Sequence, residues 1–143
     1  MKSMIRVLVL GLALLSGVQA FAYPGYGPGR EVFLGDTWLT QRENDVDWIR
    51  VNDCRDGAWD RDLVAVRVEV RNVQAEIESL VVRFGNGERQ PLYVRERFAP
   101  GTSSRWIDLD GGRRCIREIR VVGDAEGYGP RQARIAVYGW RVR

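Results

Sequence analysis

The sequence predicts an all-β fold: a single antiparallel β-sandwich of about eight short strands, jelly-roll-like and tied by one disulfide. Two observations predict this class. Short runs in which apolar and polar residues alternate recur along the chain, as in half-buried strands. Glycine-bearing turns separate them, and no stretch keeps a helical apolar period of 3.6 residues for more than about two turns. A small β-barrel is the second architecture that fits this pattern.

The start of the chain has the layout of a secretory signal peptide. A lysine and an arginine precede an apolar run over residues 7–15, and small residues follow the run. The run is too short to span a bilayer as a permanent anchor. The sequence therefore predicts a signal peptide over residues 1–22, with cleavage after Ala20 or Ala22. The mature protein is predicted to be periplasmic or secreted, with no membrane span.

The mature chain is predicted to begin with a flexible segment over residues 23–30. This segment consists mainly of glycine, proline and tyrosine and has no apolar period. The β-sandwich domain is predicted over residues 31–143, a length that suits one domain with a single core.

The charge composition excludes several kinds of chemistry. The chain has no histidine, and Lys2 is its single lysine. Loss of Lys2 and Arg6 with the signal peptide leaves 20 of the 22 basic residues against 19 acids, a net charge of +1. All of these cations are guanidinium groups, which do not act as neutral bases. The composition excludes histidine triads, lysine Schiff bases and histidine metal sites, and the balanced charge argues against a nucleic-acid partner.

The strands are predicted from their alternation. Val64, Val66, Val68 and Val70 are predicted to share one buried face. Residues 73–79 are the one place where a short helical turn is predicted. The predicted strands are residues 31–39, with a possible interruption at Gly35 and Asp36, followed by 45–51, 63–70, 80–84, a returning strand containing Leu92 and Val94, and 133–140.

Two hairpins are predicted. In the first, Gly85-Asn86-Gly87 forms a tight turn, and Pro91 places the returning strand at a sheet edge or marks its start. In the second, Ile107 and Leu109 point inward from one arm, residues 110–112 form the turn, and residues 113–122 form the other arm.

The parity of the second hairpin leaves two alternatives open. In a regular strand, Cys115, Ile119 and Val121 would lie on the same face as Arg117, and Ile116 would lie on the opposite face. Either a β-bulge resets the alternation near Arg117, or this arginine lies inward with a carboxylate partner.

A disulfide between Cys54 and Cys115 is the firmest structural prediction. These are the two cysteines of the chain, and export places them in an oxidising compartment. On the chain-entropy model, the loop closure would stabilise the fold by about 4 kcal/mol.

Four strand and turn motifs carry a resemblance to a known family: residues 83–87 (Arg-Phe-Gly-Asn-Gly), 104–109 (Ser-Arg-Trp-Ile-Asp-Leu), 114–116 (Arg-Cys-Ile) and 137–139 (Val-Tyr-Gly). The chain from Val32 to its C-terminus resembles small exported bacterial proteins of the uncharacterised family called domain of unknown function 2541. The resemblance implies a β-sandwich in the cell envelope and no activity. The closing pattern is similar, more loosely, to galactose-binding-like sandwiches.

The loop after the second strand is the predicted binding site. Residues 52–62 gather four aspartates around a glycine and a tryptophan, and their spacing does not match an EF-hand calcium loop. Whether this loop binds calcium is left open, and no metal or cofactor is predicted. The predicted binding residues are Trp59, Arg55, Asp56 and Asp60. Trp48 and Trp106 lie within strand runs and are predicted to be buried or partly buried.

Three functions are compatible with these features. The first is a non-catalytic envelope domain that binds a glycan or another envelope component through the loop around Trp59. The second is a structural or protein-interaction module that presents Arg83, Arg95 and Arg97 to an anionic partner. The third is a carboxylate-dependent glycosidase, for which no catalytic pair can be assigned. A non-enzymatic role is preferred, and the oligomeric state is left open.

Overall fold

The computed structural model describes residues 25–51, 53–54, 62–127 and 131–143. These residues form two antiparallel sheets in a sandwich-like arrangement without a helix, so the predicted fold class is confirmed. In these ranges no helix is long and apolar enough to cross a membrane. The strands are β1 (Gly29–Leu39), β2 (Asp45–Arg50), β3 (Leu63–Arg71), β4 (Ala75–Phe84), β5 (Arg89–Leu92), β6 (Glu96–Phe98), β7 (Thr102–Ser103), β8 (Ile107–Asp108), β9 (Ile116–Ala125) and β10 (Ala133–Val142).

The strands divide between two sheets of similar size. Sheet A has the order β1-β10-β3, and the short strands β7 and β8 both pair with β3. Sheet B has the order β2-β9-β4, and β5 and β6 both pair with β4. The edge strands β1 and β2 lie next to each other, and the Thr37 hydroxyl of β1 donates a hydrogen bond to the Asp47 carboxylate of β2. One side of the sandwich is therefore closed by a contact between its edges.

The core lies between the sheets and consists mainly of branched aliphatic side chains. Val66, Val68 and Val70 of β3 are fully buried there, as their alternation predicts. Each such side chain contributes about 1.5–3 kcal/mol through the hydrophobic effect. The prediction for Val64 is wrong, because the register of β10 and β3 shifts beside it. Val64 packs instead against a small cluster that contains Trp106.

The helical turn predicted over residues 73–79 is wrong, because most of this stretch belongs to β4. Ala75 and Ile77 alternate inward and are fully buried. The register with β9 then shifts between Ile77 and Ser79, so the next inward residue is Leu80. The bulge breaks the two-residue period and produces an apolar spacing that resembles a helical one.

The first predicted hairpin is present between β4 and β5. Its turn covers residues 85–87: the Phe84 N–H donates to the Glu88 carbonyl, and the Gly87 N–H donates to the Phe84 carbonyl. Gly87 adopts a φ of 90°, which a glycine accepts without strain. Pro91 lies on β5, an edge strand of sheet B, as predicted. Leu92 and Val94 are buried, as predicted.

The second predicted hairpin is wrong, because its two arms belong to different sheets. β8 pairs with β3 in sheet A, whereas β9 pairs with β2 and β4 in sheet B. Gly111 and Gly112, with φ of 83° and 79°, allow the chain to cross between the sheets. The first arm stays with sheet A because its backbone bonds to β3, where the Leu109 N–H donates to the Val64 carbonyl at 2.9 Å.

The parity conflict around Arg117 is resolved by a bulge. Arg83 of β4 pairs with Glu118 and Phe84 pairs with Ile116, so Arg117 is the extra residue. Arg117 is exposed, whereas Ile116 and Ile119 are fully buried. The alternative with a bulge is therefore confirmed, and the alternative with an inward arginine is wrong.

The predicted disulfide joins Cys54 to Cys115, with a Cα–Cα distance of 5.2 Å. It packs on the turn between β4 and β5, where Gly85 leaves room for it. A Cβ on Gly85 would lie 2.5 Å from the Cys115 Sγ atom. We call this side of the molecule, where β4 ends and β9 begins, the disulfide end.

Candidate functional site

The residues predicted for the binding site lie outside the described part of the chain, so their role stays a prediction: Arg55, Asp56, Trp59 and Asp60. The structure describes both flanks of this loop. Cys54 is fixed by the disulfide, and the side chain of Asp53 is nearly buried and forms an ion pair with Arg141. Arg141 Nε also lies 3.2 Å from Asp62 Oδ1. The base of the loop is thus held by a covalent bond and by an ion-pair network.

The outer face of sheet A carries most of the aromatic side chains in the part of the chain that the structure describes. Alternation, reset by a bulge between Phe33 and Gly35, turns Phe33 and Trp38 of β1 away from the core. Tyr138 and Trp140 of β10 lie on the same outer face. Phe33 pairs with Tyr138 in the strand register, and their ring centroids are 5.6 Å apart in an edge-to-face arrangement. Such pairs contribute about 0.5–1.5 kcal/mol beyond their buried area.

A cation lies in the middle of this aromatic face. The Arg67 guanidinium lies 4.8 Å from the Tyr138 ring centroid and 5.6 Å from the Trp106 ring centroid. Its Nε and Nη2 atoms donate to the two Glu31 carboxylate oxygens at 2.7 and 2.9 Å. These hydrogen bonds raise the pKa of Arg67. Because Arg67 already has a bidentate carboxylate partner, its role here is structural.

The disulfide-proximal part of the same face is a small buried cluster. Trp106 and Trp140 are buried there, with ring centroids 5.7 Å apart, and both pack on Ala65. Tyr26, which precedes β1, packs against the cluster and donates its hydroxyl hydrogen to the Asp108 carboxylate. The contact attaches the chain before β1 to the outer face of sheet A.

An open groove lies at the opposite end of the face, away from the disulfide. We call it the Trp38 groove, and its volume is about 570 Å³, within the range of about 300–1,000 Å³ that is usual for small-ligand sites. Its lining contains two apolar side chains, and the other lining residues are polar. The lining residues are Trp38, Thr40, Gln41, Asn72, Val73, Arg131 and Gln132.

Three chain segments that are distant in sequence form the groove. Trp38 points outward from β1 because its neighbours Thr37 and Leu39 are buried. Asn72, with a φ of 74°, turns the chain after β3. Arg131 and Gln132 precede β10, which lies between β1 and β3 in sheet A. The antiparallel topology therefore brings the end of β1, the end of β3 and the start of β10 to one place.

The groove has an exposed aromatic ring and one charged side chain. Trp38 is 43% exposed, and its register neighbour Arg134 is held by an ion pair with Asp36. Arg131 is exposed and forms no ion pair with any carboxylate in the described ranges. The lining includes no acidic residue. The groove can therefore stack a flat apolar surface and donate hydrogen bonds around it. No motif or spacing in the sequence predicts this groove, because it depends on the order of the strands in sheet A.

The two tryptophans predicted to be buried behave differently. Trp106 is 9% exposed, which confirms the prediction. Trp48 is 47% exposed, so the prediction for it is wrong. Alternation on the edge strand β2 turns Ile49 into the core and Trp48 to solvent, where it lies 6.0 Å from the Arg120 guanidinium.

The arginines of the interaction hypothesis are mostly paired. Arg83 Nη1 lies 3.1 Å from Glu118 Oε1, and Arg97 forms ion pairs with Glu76 and Glu126. Arg95 is exposed without an ion pair to a described carboxylate. The three arginines therefore do not form one free cationic surface.

No group of three or more acidic, cysteine or histidine side chains among the described residues is arranged to hold a metal ion. No curated protein and no solved structure matches the chain. A family model, by contrast, matches residues 7–139. The chain therefore belongs to the family described as domain of unknown function (DUF2541), as its strand and turn motifs indicate.

Proposed function

We propose that the chain is an exported, non-catalytic β-sandwich domain that binds a glycan of the cell envelope, and that the Trp38 groove is its binding surface. The observation that carries the proposal is the exposed Trp38 ring beside a polar groove of suitable volume. The loop that contains Trp59 remains a second binding surface under the same proposal.

The chemistry of the groove suits a sugar better than an apolar ligand. A tryptophan ring stacks on the apolar face of a pyranose, and the hydroxyl groups at the rim of the sugar need donors and acceptors. Gln41, Asn72 and Gln132 supply amides that can serve as both, and Arg131 supplies a fork of donors. An acidic sugar would also satisfy the charge of Arg131.

Export and the absence of catalysis are parts of the proposal that rest on the sequence. The first 22 residues have the layout of a signal peptide, and the paired cysteines are compatible with an oxidising compartment. The mature chain would contain neither histidine nor lysine, which removes the commonest general bases. We expect no hydrolysis across a panel of envelope polysaccharides, and turnover abolished by a single carboxylate substitution would contradict the non-catalytic role.

A glycan array and a peptidoglycan pull-down with the purified, oxidised protein test the binding site. Trp38→Ala is expected to reduce binding at least tenfold. Trp48→Ala is the matched control, because Trp48 is 47% exposed against 43% for Trp38 but lies on the other sheet. Loss of binding in Trp59→Ala with full binding in Trp38→Ala would transfer the site to the loop. Unchanged binding in both variants would refute both surfaces.

The second candidate function is a protein-interaction module that contacts an anionic partner through arginine-rich strand faces. The observation that favours it is on sheet B, where Arg50, Arg89 and Arg120 point outward and form no ion pair with a described carboxylate. Cross-linking in the native envelope tests this function, and recovery of no protein partner would count against it.

A further inference from the structure

The outer face of sheet B, formed by the outward side chains of β2, β9, β4 and β5, is basic at one end. Arg50, Glu118, Arg83 and Arg89 are successive neighbours in one row across the four strands. The single carboxylate of this row pairs with Arg83. Arg50 and Arg89 are exposed, so this row, at the disulfide end, has excess positive charge. We call it the basic end.

The middle of the same face is mainly apolar and contains one cation, Arg120, whose guanidinium lies 6.0 Å from the Trp48 ring centroid. The next row contains Trp48, Arg120, Val81 and Pro91, and the row after it contains Val46 beside Val122. Trp48 and Val46 are 47% and 43% exposed, so two apolar side chains of β2 are open to solvent on this face.

The far end of the face is acidic. Asp124 of β9 is the register neighbour of Glu76, and Glu78 lies at the β4 bulge beside them. Burial and the nearby carboxylates of Glu76, Glu126, Glu78 and Glu43 raise the pKa of Asp124.

One cation offsets part of this charge. Arg97 of β6 lies 3.2 Å from Glu76 Oε2 and 2.7 Å from Glu126 Oε1. Asp124 and Glu78 form no ion pair with a described cation, so negative charge remains in excess. We call this the acidic end.

We propose that this face binds the same face of a second copy of the chain, about a two-fold axis that lies between the two faces, parallel to the sheets and across their strands. A face that is basic at one end, apolar in the middle and acidic at the other is complementary to itself after a half turn. The rotation places each basic end on the partner's acidic end and brings the two apolar middles together. Such a two-fold contact is closed, so it gives a dimer and no fibre.

Charge complementarity is what identifies the occupant. A different basic or acidic protein would meet repulsion at one end of the face, whereas a copy of this chain meets attraction at both. The inference rests on the second candidate function and deepens it by naming the partner as a second copy of the chain, whose acidic end supplies the anionic surface. It is independent of glycan binding, because the Trp38 groove lies on sheet A.

The size of the face predicts a weak dimer. Four strands span about 14 Å, and the distance from the basic end to the acidic end is about 20 Å. Two such faces bury less than the ~1,200 Å² that separates weak from standard interfaces. We therefore expect association in the micromolar range that weakens as salt increases.

Sedimentation velocity of the oxidised protein, from about 1 µM to about 1 mM at low and moderate salt, measures the association. Variants that reverse the charge at one end of the face test where the contact lies. Arg50→Glu/Arg89→Glu makes the face acidic at both ends, and Glu78→Lys/Asp124→Lys makes it basic at both. Each variant alone is expected to be monomeric, and an equimolar mixture of the two is expected to dimerise. Restored association also shows that both variants are folded. Arg30→Glu/Arg105→Glu is the control, with the same charge change at exposed residues outside this face.

Three outcomes overturn the proposal. Wild-type protein that stays monomeric at about 1 mM in low salt excludes the dimer, even if cross-linking in the envelope finds another protein partner. Variants that dimerise individually as well as wild type place the contact elsewhere. A mixture that stays monomeric, with near-ultraviolet circular dichroism showing both variants folded, excludes the exchanged charge contacts.

Discussion

The Arg141 Nη2 atom near the end of β10 donates a hydrogen bond to the almost fully buried carboxylate of Asp53. The same carboxylate accepts a hydrogen bond from the Ile116 N–H at the start of β9. This one buried acid therefore joins the two sheets beside the disulfide, at the base of the loop that contains the predicted binding residues.

We predict that Arg141→Ala lowers the free energy of unfolding by about 3 kcal/mol, because it removes this ion pair from the buried Asp53 carboxylate. Urea unfolding at neutral pH measures the effect. Arg97→Ala removes the two ion pairs of an exposed arginine, with Glu76 and Glu126, and is expected to change stability by less than about 1 kcal/mol. Equal losses in the two variants would contradict the role assigned to burial.

We predict that Gly85→Ala destabilises the protein by about 1–3 kcal/mol, because the new methyl group overlaps the disulfide sulfurs. A double-mutant cycle tests whether the disulfide is the group that the new methyl group overlaps. In the Cys54→Ser/Cys115→Ser background, which itself costs about 4 kcal/mol, the penalty of Gly85→Ala should fall by about half or more. A penalty that is unchanged by loss of the disulfide would show that another contact is responsible.

The same disulfide gives a direct chemical prediction. A thiol titration of the denatured, unreduced protein should detect no free thiol, since Cys54 and Cys115 are paired. Two reactive thiols in protein recovered from an oxidising compartment would refute the pairing.

Gln90 of β5 links the two sheets on the side opposite to the edge strands β1 and β2. Its Nε2 donates to the Asp108 carbonyl at 3.0 Å and its Oε1 accepts from the Asp110 N–H at 2.8 Å. We predict that Gln90→Leu costs about 2 kcal/mol and accelerates hydrogen exchange at the Asp110 amide. Gln132→Leu, at an exposed residue, is the control for loss of an amide. An unchanged hydrogen-exchange rate at the Asp110 amide would show that other bonds hold the segment where the chain passes from sheet A to sheet B.

Two aspartates are predicted to affect stability in opposite directions as pH changes. Hydrogen bonds from the Thr40 N–H and hydroxyl lower the pKa of Asp45, so it stabilises the fold above pH 3.8 and loses this effect as pH falls through its folded pKa. Burial and neighbouring acids raise the pKa of Asp124, so its ionisation destabilises the fold as pH rises through its folded pKa.

Denaturant midpoints at pH 7 and pH 3 measure this opposition. At pH 7, Asp45→Asn should be less stable than wild type and Asp124→Asn more stable. Both differences should shrink at pH 3, which lies below the ordinary aspartate pKa of 3.8, because the unfolded chain then binds protons at both carboxyls. Asp110→Asn, at an exposed turn residue, is the control. A gain from Asp124→Asn that persists at pH 3 would assign the effect to packing instead of charge.

The sequence alone determined the fold class, the disulfide and the face that most strand residues present. Alternation is a local property, since successive side chains of a strand point to opposite sides whatever the strand pairs with. The buried faces of β3 around Val68 and the turn after Phe84 could therefore be predicted. Bulges limited the prediction: beside Val64 and after Ile77 a single extra residue reversed the alternation.

Only the tertiary structure decided which strands are partners and which side chains meet. Residues 107–122 have the pattern of a hairpin, but backbone bonds to β3 and β4, which are remote in sequence, assign its two arms to different sheets. The Trp38 groove combines segments separated by more than 30 residues along the chain. The opposed charges of sheet B likewise become one surface only through the order of its strands. Pairing is set by the total burial and hydrogen bonding of the whole sandwich, which no single stretch of the sequence contains.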